Sequence, residues 1–124
     1  MAKKVLIIDD DLTNRAVFES VLTDAGYIVT TADDGEDGFN KLSLGGFDLI
    51  IMDVMMPKLD GLGVLTKIEE TNPKPTNGPI VLFTNLSKDP AVEEALKHGA
   101  STYLVKSELA PDVFVRKVQE LIGQ

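Results

Sequence analysis

Three aspartates in succession, Asp9, Asp10 and Asp11, follow four apolar residues, Val5 to Ile8. A further carboxylate, Asp53, closes the apolar run at 47–53. Thr84 closes the run at 79–84 with Asn85 behind it, and Lys106 follows the run at 101–105. Carboxylates this close repel one another unless water screens them or positive charge sits among them. Oxygen ligands without histidine or cysteine suit a hard divalent cation, Mg²⁺ or Mn²⁺. A carboxylate is also a nucleophile that can form an aspartyl phosphate. Attack on a phosphoryl group is opposed by like charge, and a metal together with a lysine on the phosphoryl oxygens removes that opposition. A carboxylate such as Asp53, a metal, the Thr84 hydroxyl and the Lys106 ammonium make up such a set of parts.

These groups need a scaffold that gathers them. The apolar runs are 5–8, 27–32, 47–53, 79–84 and 101–105. Stretches such as VLII and IVLF do not alternate with polar residues, which marks strands buried on both faces of a parallel sheet. Helical stripes lie between them. Phe18, Val21, Leu22 and Ala25 form one, with Gly26 as its stop. Phe39 and Leu42 form a second that ends before Gly45-Gly46. Leu62, Leu65 and Ile68 form a third. Val92, Ala95 and Leu96 form a fourth, ended by His98-Gly99. Val113, Phe114, Val118, Leu121 and Ile122 form a fifth. Five strand–helix units predict an α/β fold, an open, doubly wound parallel sheet. Ligands in such sheets sit beyond the carboxyl ends of the strands. Asp9, Asp10, Asp53, Thr84 and Lys106 all stand at such ends, and they meet at one rim if strands one, three, four and five are neighbours.

Composition narrows the classes. The 124 residues suit one domain, and 44% hydrophobic content is ordinary for a globular chain. No apolar run approaches a membrane-spanning length, and the opening residues do not read as a signal peptide. A formal net charge of −8 argues against binding a nucleic-acid backbone with this domain alone and favours a cation or a basic partner. The absence of cysteine excludes disulfides and thiolate metal sites, and fits a reducing cytoplasm. The stretch 71–79 reads as one long surface loop.

The stretches VLIIDDD, DLIIMDVMMPKLDG, IVLFT and YLVK, in this order and spacing, resemble the receiver domain of bacterial response regulators, the CheY-like fold. The resemblance covers essentially the whole chain, 1–124, as one receiver domain. It implies the flavodoxin-like strand order 2-1-3-4-5 with five helices. It implies that Asp53 accepts a phosphoryl group from a sensor histidine kinase or a histidine phosphotransfer protein. Asp9 and Asp10 would be the acidic pair. Asp10, Asp53 and the backbone carbonyl of Met55 would hold the metal directly, with Asp9 acting partly through water. Lys106 would contact the phosphoryl group, Thr84 would be the switch hydroxyl and Tyr103 the switch aromatic. Gly61 would start the third helix after the PxxDG turn. The face made by the fourth helix, fifth strand and fifth helix would signal to an output domain or partner, or pair two copies. Two positions depart from the family pattern. Ser107 follows Lys106 where many members have proline, and Asn85 follows Thr84 where alanine or glycine is more usual. A polar residue of that size at the rim either restricts access to the phosphoryl group or hydrogen-bonds to it.

Plainer readings compete at each position. A charge run after a strand is usually a solvated loop. Asp11 fits a helix N-cap better than a ligand, because a helical pattern follows it. Asp60-Gly61 is first a turn signal. His98, the single histidine, suits the last turn of a helix, where a cation complements the dipole. With no second histidine and no cysteine, there is no nucleophilic triad to build. Asp9-Asp10-Asp11-Leu12-Thr13 also fits D-x-D-x-T, which looks like the first motif of haloacid-dehalogenase-type phosphatases, with Asp9 as nucleophile and Asp11 as general acid. That reading leaves Asp53 and the MMPKLDG turn without a role. A receiver-like interaction domain that never carries phosphate is a third reading, and the complete set of strand-end groups weighs against it. An electron-transfer flavodoxin fits least, since three aspartates after strand one would repel a flavin phosphate.

Overall fold

The computed structural model describes residues 2–73, 76–85 and 89–123. Five parallel strands, β1 (Lys4–Ile8), β2 (Ile28–Ala32), β3 (Leu49–Asp53), β4 (Ile80–Thr84) and β5 (Thr102–Val105), form one sheet in the order β2-β1-β3-β4-β5. Five helices connect and follow them: α1 (Leu12–Asp24), α2 (Gly35–Leu42), α3 (Gly61–Thr71), α4 (Pro90–Lys97) and α5 (Pro111–Ile122). A short 3-10 turn, Lys106–Glu108, follows β5. The doubly wound sheet, its strand order and its five helices are those expected.

The unbroken apolar runs are explained by the two cores. Leu6, Ile8, Ile50, Met52 and Leu82 face one side and pack with Phe39 and Leu42 of α2, Val64 and Leu65 of α3, and Val92 and Ala95 of α4. Val5, Ile7, Leu49, Ile51, Val81 and Phe83 face the other side, against Phe18 and Leu22 of α1 and Phe114 and Val118 of α5. Alternate residues of one strand thus bury on opposite faces. Phe18, Phe83 and Phe114 form an aromatic trio with ring centroids 4.6–5.7 Å apart.

Two stripe assignments change. Val64 joins Leu65 in the α3 core while Leu62 is only half-buried, and Ala25 is the exposed C-cap of α1 rather than part of its apolar face. Helix starts follow the acidic caps. Asp11, Asp34, Asp60 and Asp89 each accept a backbone N–H of the first turn of α1, α2, α3 and α4. Asp11 is therefore a cap, as its position suggested, and Asp60 is a cap as well as a turn residue. The stretch 71–79 divides: Thr71 ends α3, Asn72 takes a left-handed conformation, and 74–75 lie outside the described residues. Asn77 anchors the rest, accepting from the Phe47 N–H and donating to the Leu42 carbonyl.

Strand order reverses between β1 and β3, because β1 leads outward to β2 and the chain then returns to the other side of β1. The carboxyl ends of β1 and β3 flank this switch point, the place where open α/β sheets leave a crevice.

Candidate functional site

Each strand of the central three, and β5 beside them, delivers one or two groups to this crevice. β1 ends at Ile8, and the next residue, Asp9, extends its pairing by donating its N–H to the Ala32 carbonyl. Its side chain is 1% exposed. Asp10 is exposed, and Asp53, the last residue of β3, is half-buried. Carboxylate oxygens of Asp9, Asp10 and Asp53 lie within 4.8 Å of one another. Register sets this meeting: Ile8 pairs with Met52, so Asp9 and Asp53 leave adjacent strands at the same level.

Lys106 is drawn between them. Its Nζ donates to Asp53 Oδ2 at 2.9 Å and to Asp9 Oδ2 at 3.1 Å. It lies 5.3 Å from the centre of the Phe83 ring, within reach of a cation–π attraction. Burial opposes the ammonium charge, but the hydrogen bonds and field of Asp53 and Asp9 prevail and hold its pKa above the ordinary value. For Asp53 the balance falls the other way. Burial raises its carboxyl pKa above the usual value, against the lowering pull of Lys106 and with some help from Asp9. The Met55 N–H donates to Asp53 Oδ1 at 3.3 Å, and the Met55 side chain is exposed. The Asp9 Oδ1 atom accepts the Asp11 N–H. Thr84, 2% exposed, ends β4 at the same rim. Tyr103 on β5 is 38% exposed.

Lys106 thus bridges Asp9 and Asp53, Asp10 lies beside these two carboxylates, and Thr84 closes the neighbouring strand. One detail differs from expectation: Lys106 does not end β5 but opens the 3-10 turn after it. His98 caps the C-terminus of α4 and is bound to Glu69 of α3 and faces Glu94, remote in sequence and element from this rim. Three contacts were not foreseen. Arg15, one turn into α1, donates to the Asp9 carbonyl at 2.6 Å, and its place one turn past the cap was the available signal. Phe83 lies beneath Lys106. Asn85 Oδ1 accepts the Ser107 N–H at 2.9 Å, so the two positions that depart from the family pattern are joined to each other.

The carboxylates outnumber the cations in contact with them, and the ligand atoms are all oxygen. That donor set fits a hard divalent ion completed by water. Gly61 lets the supporting loop close beneath it. Its N–H donates to the Val54 carbonyl, and a Cβ there would stand 2.9 Å from the Asp53 carbonyl oxygen.

An open α/β sheet that gathers carboxylates and a lysine at its switch point, with a threonine closing the next strand, defines a class of domain. Residues 5–119 match the family model of the response regulator receiver domain, and the chain belongs to that family. It is 39% identical over 106 residues to the chemotaxis protein CheY of Treponema pallidum, covering 83% of this chain and 72% of that protein. It is 40% identical over 104 residues to a probable transcriptional regulator, ycf27, of Guillardia theta, covering 84% of this chain and 39% of that protein. The gliding motility regulatory protein of Myxococcus xanthus is 33% identical over 118 residues, 95% of this chain but 15% of that protein. The chain therefore spans well under half the length of the latter two relatives. Among solved structures, Vibrio cholerae chemotaxis protein CheY4 superposes with a TM-score of 0.83 at 32% identity, over 98% of this chain and 99% of that one. The receiver domain of a sensor histidine kinase from Pseudomonas aeruginosa, solved with a magnesium ion in its active site cleft, gives 0.84 at 28% identity over the whole of both chains.

Membership of this family leaves the phosphatase and flavodoxin readings without support. Asp11, the general acid of the first, is occupied as a helix cap, and Asp9, its nucleophile, is buried beneath Lys106. Among the described residues no helix is long and apolar enough to cross a membrane.

Proposed function

We propose that the chain, 1–124 as one receiver unit, accepts a phosphoryl group on Asp53 from a histidine kinase or histidine phosphotransfer protein and passes the change to a partner or output domain. The observation that carries this reading is the Lys106 ammonium bridging Asp53 and Asp9 with Asp10 alongside. Asp53 attacks phosphorus through a carboxylate oxygen. A P–O bond forms, the bond from phosphorus to the donor imidazole breaks, and the electron pair leaves with the imidazole. Lys106 then moves its hydrogen bond from the carboxylate to a phosphoryl oxygen, where charge develops. Asp10, Asp53 and the Met55 carbonyl would hold Mg²⁺ or Mn²⁺, with Asp9 acting through water. The ion supplies positive charge that offsets repulsion between the carboxylates and the incoming phosphoryl group.

The chain is consumed once per transfer, so it is a signalling acceptor that assists its own chemistry rather than an enzyme acting on a separate substrate. Thr84 turns its hydroxyl toward the phosphoryl group, and Tyr103, outward here, fills the space left behind. The face of α4, β5 and α5 changes with it, as a shift between two packings. That face offers a surface to an output partner or to a second copy. The cysteine-free chain suits the cytoplasm.

Intact mass after incubation with acetyl phosphate and Mg²⁺ tests this. A gain of one phosphoryl group in wild type, absent in Asp53→Asn, supports the reading. An adduct that persists in Asp53→Asn and maps to Asp9 overturns it. The absence of any adduct, with either acetyl phosphate or a phosphorylated histidine phosphotransfer protein as donor, favours a phosphate-independent interaction domain.

A further inference from the structure

The β4–β5 ladder runs in register from Val81↔Thr102 to Thr84↔Val105 and stops there. Beyond it, β5 curls at once into the turn Lys106–Glu108, and no side chain caps that turn from within its own flanks. The first N–H groups of such a turn lack partners inside it. At the end of the turn the Leu109 N–H donates to the Lys106 carbonyl at a long 3.3 Å. Its second N–H, that of Ser107, is taken by the side-chain carbonyl of Asn85 at 2.9 Å. Asn85 follows directly on Thr84, so its side chain supplies a rung where the backbone ladder has ended. The donor exists because residue 107 is not proline, which has no N–H.

Lys106 stands between these anchors. Its backbone begins the turn and its ammonium lies between Asp53 and Asp9. We propose that Asn85 is a positioning residue for Lys106: by holding the Ser107 N–H, it ties the end of β4 to the turn that carries the lysine and keeps the ammonium aimed at Asp53. The proposal rests on the phosphoacceptor reading for its consequence, though not for the contact itself. Asn85 touches neither Asp53 nor a reacting atom in this account. It acts through the lysine and couples any displacement of the Thr84 segment to the lysine's turn.

Three variants separate the possibilities: Asn85→Ala removes the acceptor, Asn85→Leu removes it while keeping bulk, and Asn85→Asp keeps a carboxylate oxygen for the N–H. Two-dimensional NMR without phosphate reads the contact through the Ser107 amide proton, and the lysine through its ammonium ¹H–¹⁵N signal, visible when the group is held in hydrogen bonds. Both signals are expected in wild type and Asn85→Asp and are lost or broadened in Asn85→Ala and Asn85→Leu. With acetyl phosphate, the maximal phosphorylation rate of Asn85→Ala and Asn85→Leu is expected to fall about five-fold, the scale of one lost neutral hydrogen bond, with the Mg²⁺ concentration for half-maximal rate unchanged. Ser107 and Lys106 signals that persist in Asn85→Ala and Asn85→Leu overturn the proposal, as does an unchanged maximal rate. If wild type takes no phosphoryl group at all, the phosphoacceptor reading fails by itself, and the NMR signals still decide whether Asn85 positions Lys106.

Discussion

Replacing Lys106 with methionine tests how the crevice tolerates its carboxylates. Lys106 Nζ stands 2.9 Å from Asp53 and 3.1 Å from Asp9, with 12% of its side chain exposed and Asp9 at 1%. At an effective dielectric near 20, each contact carries roughly 5 kcal/mol of attraction before the cost of burying the charges. Breaking a buried pair by removing one partner costs about 3–5 kcal/mol, because the remaining charge stays buried without compensation. Partial exposure at Asp53 places Lys106→Met near the lower end, about 3 kcal/mol. The second half of the prediction is the coupling. In wild type, Asp53→Asn removes both a repulsive charge and a partner of the lysine. In the Lys106→Met background it removes repulsion alone, and should recover roughly 2 kcal/mol more than in wild type. Urea unfolding followed by far-ultraviolet circular dichroism, with EDTA present, suits a chain without tryptophan. A loss under about 1 kcal/mol for Lys106→Met, together with Asp53→Asn effects that agree within about 0.5 kcal/mol in the two backgrounds, would refute the account of Lys106 as the charge that holds this site together.

Three further outcomes follow from the same geometry. Mg²⁺ at about 100 times its dissociation constant should stabilise wild type by roughly 2.7 kcal/mol, and Asp10→Asn should lose most of that gain in thermal unfolding while folding normally in EDTA. Asp53 has its pKa raised above 3.8, chiefly by burial. Its contribution is therefore fully present below the ordinary carboxylate value and is lost as pH rises through the raised one. The stability of Asp53→Asn relative to wild type should accordingly grow from pH 4 to pH 7 without divalent ions, and a gap that is flat over that range would contradict the assigned direction. Gly61→Ala should cost about 1–3 kcal/mol in urea unfolding, since the new Cβ would meet the Asp53 carbonyl oxygen at 2.9 Å and the Val54 Cα at 3.1 Å. An Ala variant as stable as wild type would mean that the loop under Asp53 yields freely.

Much of this protein was readable from one line of residues. VLII and IVLF declared strands buried on both faces, because a run without polar alternation has no side to show to water. Asp11 declared its capping role because a short acidic side chain before a helical pattern has free N–H groups to accept. The carboxylates, Thr84 and Lys106 could be set at strand ends because chain order alone fixes which residue closes each run. The resemblance then supplied the strand order, and it implied roles that spacing could not.

Other features were decided only by tertiary structure. Local sequence carries no record of register, and it is the Ile8↔Met52 pairing that sets Asp9 level with Asp53. Whether Lys106 continued β5 or left it depended on where the β4 ladder stopped, and the turn there is capped by Asn85, 22 residues earlier in the chain. Phe83 was legible as core but not as the ring beneath an ammonium, since the lysine reaches it from another strand. Val64, rather than Leu62, faces the core, a choice that hydrophobicity alone does not make because both side chains are apolar. Sequence determined which groups this chain carries and at which strand ends. Packing determined their distances, and the chemistry depends on those distances because charge interactions at 3 Å differ so greatly from those a few ångströms further apart.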